Sequence, residues 1–419
     1  MARIVLATFG SFGDVHPKIA LGIELKRRGH DVTIAAMEWY REKIGLIGLG
    51  FAPMAPHLDP EDTELGRELM DRKTGSERII KDIIVPSLPE MFADMLSATE
   101  GADLLVSGEI TYAASSVIEK TGIKWVSTTL SPISFFSAYD PSVPPQAPWF
   151  ENLRMMPAAF HRLVLALARR RTENWLTGYR DFRRSLGLSE DHDPIFSDKF
   201  SNRLHLVMFS SVLGSPQPDW PQSALQTGFC FYDGQQDSGT MPAGLQDFLS
   251  SGEAPIVFTL GSAAVIDPGR FFEESVKAAK ILRRRAVLLY GSYNEPPPGL
   301  NDEIVGYEYA PYSKVFPHAV CVVHQGGVGT TGQVLRAGAP HLIMPYSHDQ
   351  PDNAARCRRA GVAEIIPRGA YNAETASKLL RRLISRPEYR DAARSLKLVV
   401  DSEGGTQMAC DRIEAVIRS

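Results

Sequence analysis

Asp14, His324 and the Asp349–Gln350 pair stand out in this sequence because each follows an apolar run and precedes a helical pattern. Asp14 lies in "TFGSFGDVHPKIAL", behind Gly10, Ser11 and Gly13. A carboxylate there can take a proton from a hydroxyl as that oxygen forms a new bond, and partial burial would lift its pKa usefully. His16 is a rival base two residues on, and Ser11 could hydrogen-bond an acceptor or orient Asp14. The same residues also fit a plain helix entrance. Asp14 would then be a cap or Asx-turn residue, His16 a cap ahead of Pro17, and Pro17 the first helical position.

The stretch "VCVVHQGGVGTTGQVLRAGAPHLIMP" carries a second chemistry. Gly326, Gly327 and Gly329 remove side chains where backbone N–H groups would approach a ligand, and Thr330 and Thr331 open the next helix as cap-like hydroxyls. A helix start carries unsatisfied N–H groups and a positive partial charge, both suited to phosphate. His324 is expected to add a donor to a phosphate oxygen. Ser262, in "FTLGSAAV", offers a hydroxyl and an amide to the same diphosphate. Asp349 and Gln350, in "MPYSHDQPDN", can hold vicinal hydroxyls in pairs, as a sugar requires. A glycine turn, a capped helix and turn residues would explain each of these without any ligand.

The surrounding elements decide whether these loops can meet. "RIVLATFG", "DVTIAA", "ADLLVSG" and "KWVSTTL" are apolar along their length and alternate with helical patterns, which predicts a parallel sheet covered on both faces. The alternation restarts at "APIVFTLG" and runs through "RAVLLYG", "AVCVVHQ", "HLIMP" and "AEIIP". The expected fold is α/β, two doubly wound Rossmann-like domains facing a central cleft, with ligands beyond the carboxyl ends of the strands. The expected divisions are an amino-terminal domain over 1–215 with a helical insertion near 152–188, a linker over 216–252, a carboxyl-terminal domain over 253–400, and a helix over 401–419 packing back on the first domain. Arg169, Arg170 and Arg171 in the insertion fit a solvated helix face, although such a segment could also lie on a membrane.

Bulk properties exclude several alternatives. The 419 residues carry 45 Lys plus Arg against 49 Asp plus Glu, a net charge of −4, so no basic field argues for nucleic acid. Four scattered cysteines lack metal-ligand spacing and fit a reducing compartment. "MARIVLATFG" reads as a buried strand rather than a signal peptide, which predicts a cytoplasmic protein.

The block from Tyr309-Ala310-Pro311 through His324, Gly326-Gly327, Gly329-Thr330, Gly338-Ala339-Pro340 and Pro345 to Asp349-Gln350 resembles the nucleotide-sugar signature of family 1 inverting UDP-glycosyltransferases of the GT-B fold. The resemblance implies the nucleotide base near the backbone of Tyr309 and Ala310, the phosphates on His324 and the Gly329/Thr330 turn, and sugar hydroxyls on Asp349 and Gln350. Tyr309 replaces the tryptophan that stacks on uracil in plant members, and Gln333 replaces the ribose-binding glutamate, so both UDP- and dTDP-sugars stay open as co-substrates. Gly13-Asp14 replaces the Gly-His of many members and is similar to the branch of glycopeptide-antibiotic, sterol and rhamnolipid glycosyltransferases; "HDQPDNA" and the helical insertion resemble the rhamnolipid members most. By this resemblance Asp14 is the general base of an inverting transfer that requires no metal and no further cofactor.

The acceptor is expected in the first domain. Phe135, Phe136 and Tyr139 in "SPISFFSAYDPSVPPQAPWF" suggest a pocket for a small lipophilic or phenolic molecule, unless they only close the core. Glu109 falls where histidine-using members keep a supporting acid and is read as pocket-lining or structural. A nucleotide-sugar epimerase or hydrolase, and a non-catalytic nucleotide-sugar binder, remain the competing functions.

Overall fold

The computed structural model describes residues 1–59, 62–232, 234 and 241–419. The first sheet contains β1 (Arg3–Ala7), β2 (Asp31–Ala36), β3 (Gly50–Pro53), β4 (Leu104–Ser107), β5 (Lys124–Thr129), β6 (His205–Val207) and β7 (Ala224–Gln226), in the order 3-2-1-4-5-6-7. The second contains β8 (Ile256–Thr259), β9 (Ala286–Leu289), β10 (Ile304–Tyr307), β11 (Cys321–His324), β12 (His341–Ile343) and β13 (Ala363–Ile365), in the order 10-9-8-11-12-13. Every pairing between these strands is parallel. The inner strands β1, β4, β8, β9, β11 and β12 are almost wholly buried because helices cover both faces, while the edge strands β3, β7, β10 and β13 are only partly so.

Strand order reverses between β1 and β4 in the first sheet and between β8 and β11 in the second. A crevice opens at such a switch point, beyond the strand ends. Asp14 lies in the first turn of the helix that follows β1, and the glycine turn follows β11, so the chemistry-bearing residues sit where the topology leaves room. Two helices start here: α1 (Phe12–Arg27) and, later, the helix Val328–Ala337.

The insertion forms α2 (Ala158–Thr172) and α3 (Thr177–Ser185). The helix Val328–Ala337 is α4, Gln350–Arg359 is α5, and the last helix, Gly405–Arg418, is α6. Cys410 and Ile413 of α6 are buried in the core of the first domain, and Arg28 binds Asp411 and Glu414. One boundary differs from expectation. β7 belongs to the first sheet although Ala224–Gln226 lies inside the stretch expected to be linker. The expected linker also includes 233 and 235–240, which lie outside the described residues.

The domains are joined by more than chain. Phe135, Phe209, Leu213 and Phe229 of the first pack with Leu335, Ile343, Ala354 and Val362 of the second in one apolar cluster. Beside it, Arg356 of α5 donates to Asp352 (2.8 Å), to the Leu213 carbonyl (2.8 Å) and to Asp140. On the other side, His348 meets the Leu69 carbonyl (2.9 Å) and Ser347 donates to the Asp71 carbonyl (3.1 Å).

Candidate active site

Asp14 is set by the way α1 begins. Gly10 adopts φ +127°, turning the chain sharply out of β1. Ser11 caps the helix: its hydroxyl accepts from the Gly13 N–H (3.2 Å), and its own N–H donates to Asp14 Oδ2 (2.9 Å). This reciprocal capping box starts the helix before Pro17, which therefore lies inside it rather than at its first position. The cap and base readings of Asp14 thus coexist. One carboxylate oxygen holds the turn while Asp14 stays partly open to the cleft.

Burial is the main cause that raises Asp14 from the ordinary carboxylate range to about 7; Glu109 and Asp349 push the same way, and the Ser11 N–H opposes them. A carboxylate poised there suits general-base work near neutral pH. A Cβ at Gly10 would lie 2.6 Å from the Asp14 Cγ. Gly10→Ala is therefore expected to displace the carboxylate, destabilise the fold by about 1–3 kcal/mol and lower transfer at least about tenfold. Denaturant unfolding and initial rates check both.

The rival base fares differently. His16 lies within α1, not at its cap, and its ring packs against Phe12 (5.0 Å) and Tyr232 (5.1 Å). Burial and the Lys43 cation depress it to about 3, so it is neutral and a very weak base.

Across the cleft, the start of α4 faces the start of α1. A methyl added at Gly329 would lie 4.0 Å from the Gly13 Cα. Two helix amino termini converge there in near contact, and their partial charges favour an anion beside them. Thr330 and Thr331 do not cap α4 as expected: Gly327 is the cap residue, the helix starts at Val328, and both threonines are buried in its first turn.

His324 is not the phosphate donor expected. It is fully buried; its Nδ1 accepts from the Gly326 N–H (3.1 Å), which leaves the proton on Nε2, and Nε2 faces His341 Nδ1 (3.0 Å). Both ring nitrogens are occupied, and burial lowers the pKa to about 3. Its work is to fix the glycine turn from behind. Gln325, which the sequence reading passed over, is buried within that turn, only 5% exposed. Its amide fills the space a Cβ at Gly261 would need and lies 2.9 Å from the corresponding point at Gly327. It thus bridges the two turns expected to hold a diphosphate, with Ser262 beside it. The clue was its place between the histidine and the first glycine.

Asp349 caps the architecture of this side. Its Oδ2 accepts from the Val328 N–H (3.1 Å) and from Asn353 Nδ2 (2.7 Å), tying the start of α4 to α5. Burial raises it to about 6, with Glu109 adding to the rise. Gln350 differs from expectation. It is buried, and its Oε1 accepts from the Tyr346 N–H (2.8 Å), so it shapes its own loop. Tyr309 is exposed at the rim next to the buried Ala310. Gln333 lies on α4, one turn beyond the glycines.

The acceptor-side residues separate. Glu109 is clamped by the Leu130 N–H (2.8 Å) and the Ser134 hydroxyl, and its charge reaches both Asp14 and Asp349. Phe135 is not a pocket residue: it stacks on Trp220 at 3.9 Å in the interdomain cluster. Phe136, at φ +48°, packs on Phe196, and Tyr139 is open to solvent beside Arg162.

Residues 4–83 match the glycosyltransferase family 28 N-terminal domain, and residues 298–413 match the erythromycin biosynthesis protein CIII-like C-terminal domain. Over 428 residues the chain is 32% identical to O-mycaminosyltylonolide 6-deoxyallosyltransferase of Streptomyces fradiae, covering 98% of this chain and 97% of that one. Its fold matches the crystal structure of the kitacinnamycin glycotransferase, with TM-score 0.72, 23% identity and 99% of each chain covered. It likewise matches the glycosyltransferase VinC in complex with dTDP, with TM-score 0.68, 19% identity and 99% of each chain covered. The chain belongs to the family 1 glycosyltransferases of GT-B fold, in the company of the antibiotic glycosyltransferases, and is itself a glycosyltransferase.

Proposed function

We propose that the enzyme moves a sugar from a dTDP-sugar to a hydroxyl of a small lipophilic or aromatic molecule, with inversion at the anomeric carbon and Asp14 as the base. The observation that carries this reading is the meeting of Gly13 and Gly329 across the cleft, with the Asp14 carboxylate held near 7 beside it. The acceptor hydroxyl gives its proton to Asp14 as its oxygen attacks the anomeric carbon. The bond to the nucleoside diphosphate breaks, and the charge left on the diphosphate is stabilised by the N–H groups of Gly329 and Thr330, the Gln325 amide and Ser262. Asp349 keeps its second oxygen for a sugar hydroxyl. One displacement inverts the centre. A thymidine nucleotide is taken because VinC was solved with dTDP, and because Tyr309 stands where the resemblance puts the uracil-stacking tryptophan of plant members, which loosens the case for uracil.

The test is nucleotide release from dTDP-rhamnose and UDP-glucose, with and without a phenol or a hydroxy-fatty acid. Release that requires the acceptor supports transfer. Release without it indicates hydrolysis, and binding without release a sensor.

Peripheral membrane contact is part of the same reading. Leu163 and Leu167, each 60% exposed, and Met155, 88% exposed, form an outward apolar face next to the exposed Arg170 and Arg171. That combination suits an anionic lipid surface. Sedimentation with phosphatidylglycerol vesicles, absent with phosphatidylcholine alone and lost in a Leu163→Glu/Leu167→Glu variant, is the expected result. Equal recovery with both vesicle types would refute the contact.

A further inference from the structure

His348 immediately precedes Asp349, and its backbone is unusual. It adopts φ +56°, a left-handed conformation that a residue with a Cβ keeps only where its surroundings hold it. Here both ring nitrogens are held. Nε2 lies 2.9 Å from the Leu69 carbonyl, which can only accept, so Nε2 carries the proton. Nδ1 then accepts from the Ser76 hydroxyl at 3.3 Å. Burial favours the neutral ring that this pairing requires, although the Leu69 carbonyl opposes it.

Both partners belong to the first domain, on a segment that reaches across to the second. The short helix Thr63–Leu69 ends there, and Met70 packs against the core of the second domain. Arg67 lies 3.7 Å from Asp267, and a Cβ at Gly66 would lie 3.2 Å from Ile266, so this helix rests on the loop after β8. Gly75 lets the segment close on itself: a Cβ there would lie 2.2 Å from the Leu69 carbonyl oxygen and 3.5 Å from the His348 ring. Ser347, wholly buried, adds its bond to the Asp71 carbonyl. Asp349 then turns back into the second domain, where Val328 and Asn353 hold one of its oxygens. Two consecutive side chains therefore grip the first domain, and the next one grips the start of α4.

We infer that His348 is a positioning residue for the sugar end of the donor: by anchoring the Asp349 turn to Leu69 and Ser76, it lets segment 63–77 of the first domain set how firmly a sugar is held. The inference rests on Asp349 binding a sugar hydroxyl, as proposed above. In that reading the base and the diphosphate rest on Tyr309 and the start of α4, so loosening this turn is felt at the sugar. His348 itself has no ring nitrogen left for a substrate, and its effect passes through Asp349.

The experiment measures, by calorimetry without acceptor, the affinity for dTDP-rhamnose and UDP-glucose, each against its bare nucleotide, dTDP or UDP. His348→Gly keeps the left-handed backbone without strain and removes both bonds. It is expected to weaken the better-bound sugar nucleotide about tenfold, the worth of one hydrogen bond to a charged group, and to leave the bare nucleotide unchanged. His348→Asn, which also tolerates this backbone and keeps a side-chain donor, is expected to recover part of the loss. A folded His348→Gly enzyme with wild-type affinity for both ligands overturns the inference. An equal loss of both overturns it too, since that marks a merely structural histidine. If His348→Gly does not fold, Ser76→Ala decides: a smaller loss confined to the sugar nucleotide supports the role, and unchanged affinities refute it. Asp349→Ala separates this inference from the reading beneath it. Should it bind both ligands as wild type does, the sugar role of Asp349 falls; a selective loss there without one in His348→Gly sinks only the role of His348.

Discussion

Asp14→Asn is expected to fold, to bind nucleotide as the wild type does, and to lose transfer by about 10³-fold, within the range that a positioned base contributes. The asparagine carbonyl can still accept from the Ser11 N–H, so the capping box survives and only the proton acceptor is lost. If the carboxylate were nothing more than a cap, the substitution would leave the rate unchanged. The variant should also report on stability. The fold raises Asp14 from 3.8 to about 7, so it favours the protonated form. Wild-type stability contributed by this group therefore falls as pH rises from about 4 to 7 and stays low above. Asp14→Asn is free of that cost and should be more stable than wild type at pH 8 by about 1–2 kcal/mol, once solvent screening at the cleft is allowed for. The difference should vanish near pH 4. Activity lost while stability is gained marks a functional group rather than a structural one.

The second large effect lies at Arg356. This guanidinium is 4% exposed, and its partners Asp352 (fully buried) and Asp140 come from the two domains. Asp352 also accepts from the Val143 N–H (2.9 Å), so the loop that follows β5 hangs on the same group. Removing one member of a buried ionic group leaves the others uncompensated, which costs about 3–5 kcal/mol. Arg356→Met should therefore lower stability by about 3 kcal/mol and, because α5 also carries Asp349 at its start, weaken donor binding. Thermal unfolding and donor KM read the two parts. A variant with unchanged unfolding would mean that the pair contributes nothing to holding the domains together.

The architecture was legible because parallel strands buried on both faces are written as continuous apolar runs. All nine runs picked out in the sequence contain strands. The structure adds β3, β6, β7 and β10, the short segments "GFAP", "HLV", "ALQ" and "IVGY". All four lie at or next to a sheet edge, where a strand is less completely covered and its apolar run is less continuous. The loops after β1 and β11 were found for a similar reason: glycine, a capping residue and a polar side chain at a strand end form a local signal.

What depends on distant neighbours was not legible. Nothing near His324 in the chain reveals that His341, on the adjacent strand, would take its second nitrogen. Phe135 looked like a pocket residue because the Trp220 that covers it lies 85 positions away and belongs to a stretch read as linker. Gln350 and Pro17 failed more locally. The first turned inward to satisfy its own loop, and the second was overtaken by a capping box that starts the helix earlier.

A crystal structure with dTDP is the most direct measurement. The expected result is a diphosphate held by the N–H groups of Gly329 and Thr330 and by the Gln325 amide, with its outer phosphate facing Asp14 across the cleft. A nucleotide seated away from the start of α4, or a diphosphate turned from Asp14 with the two loops apart, would contradict it.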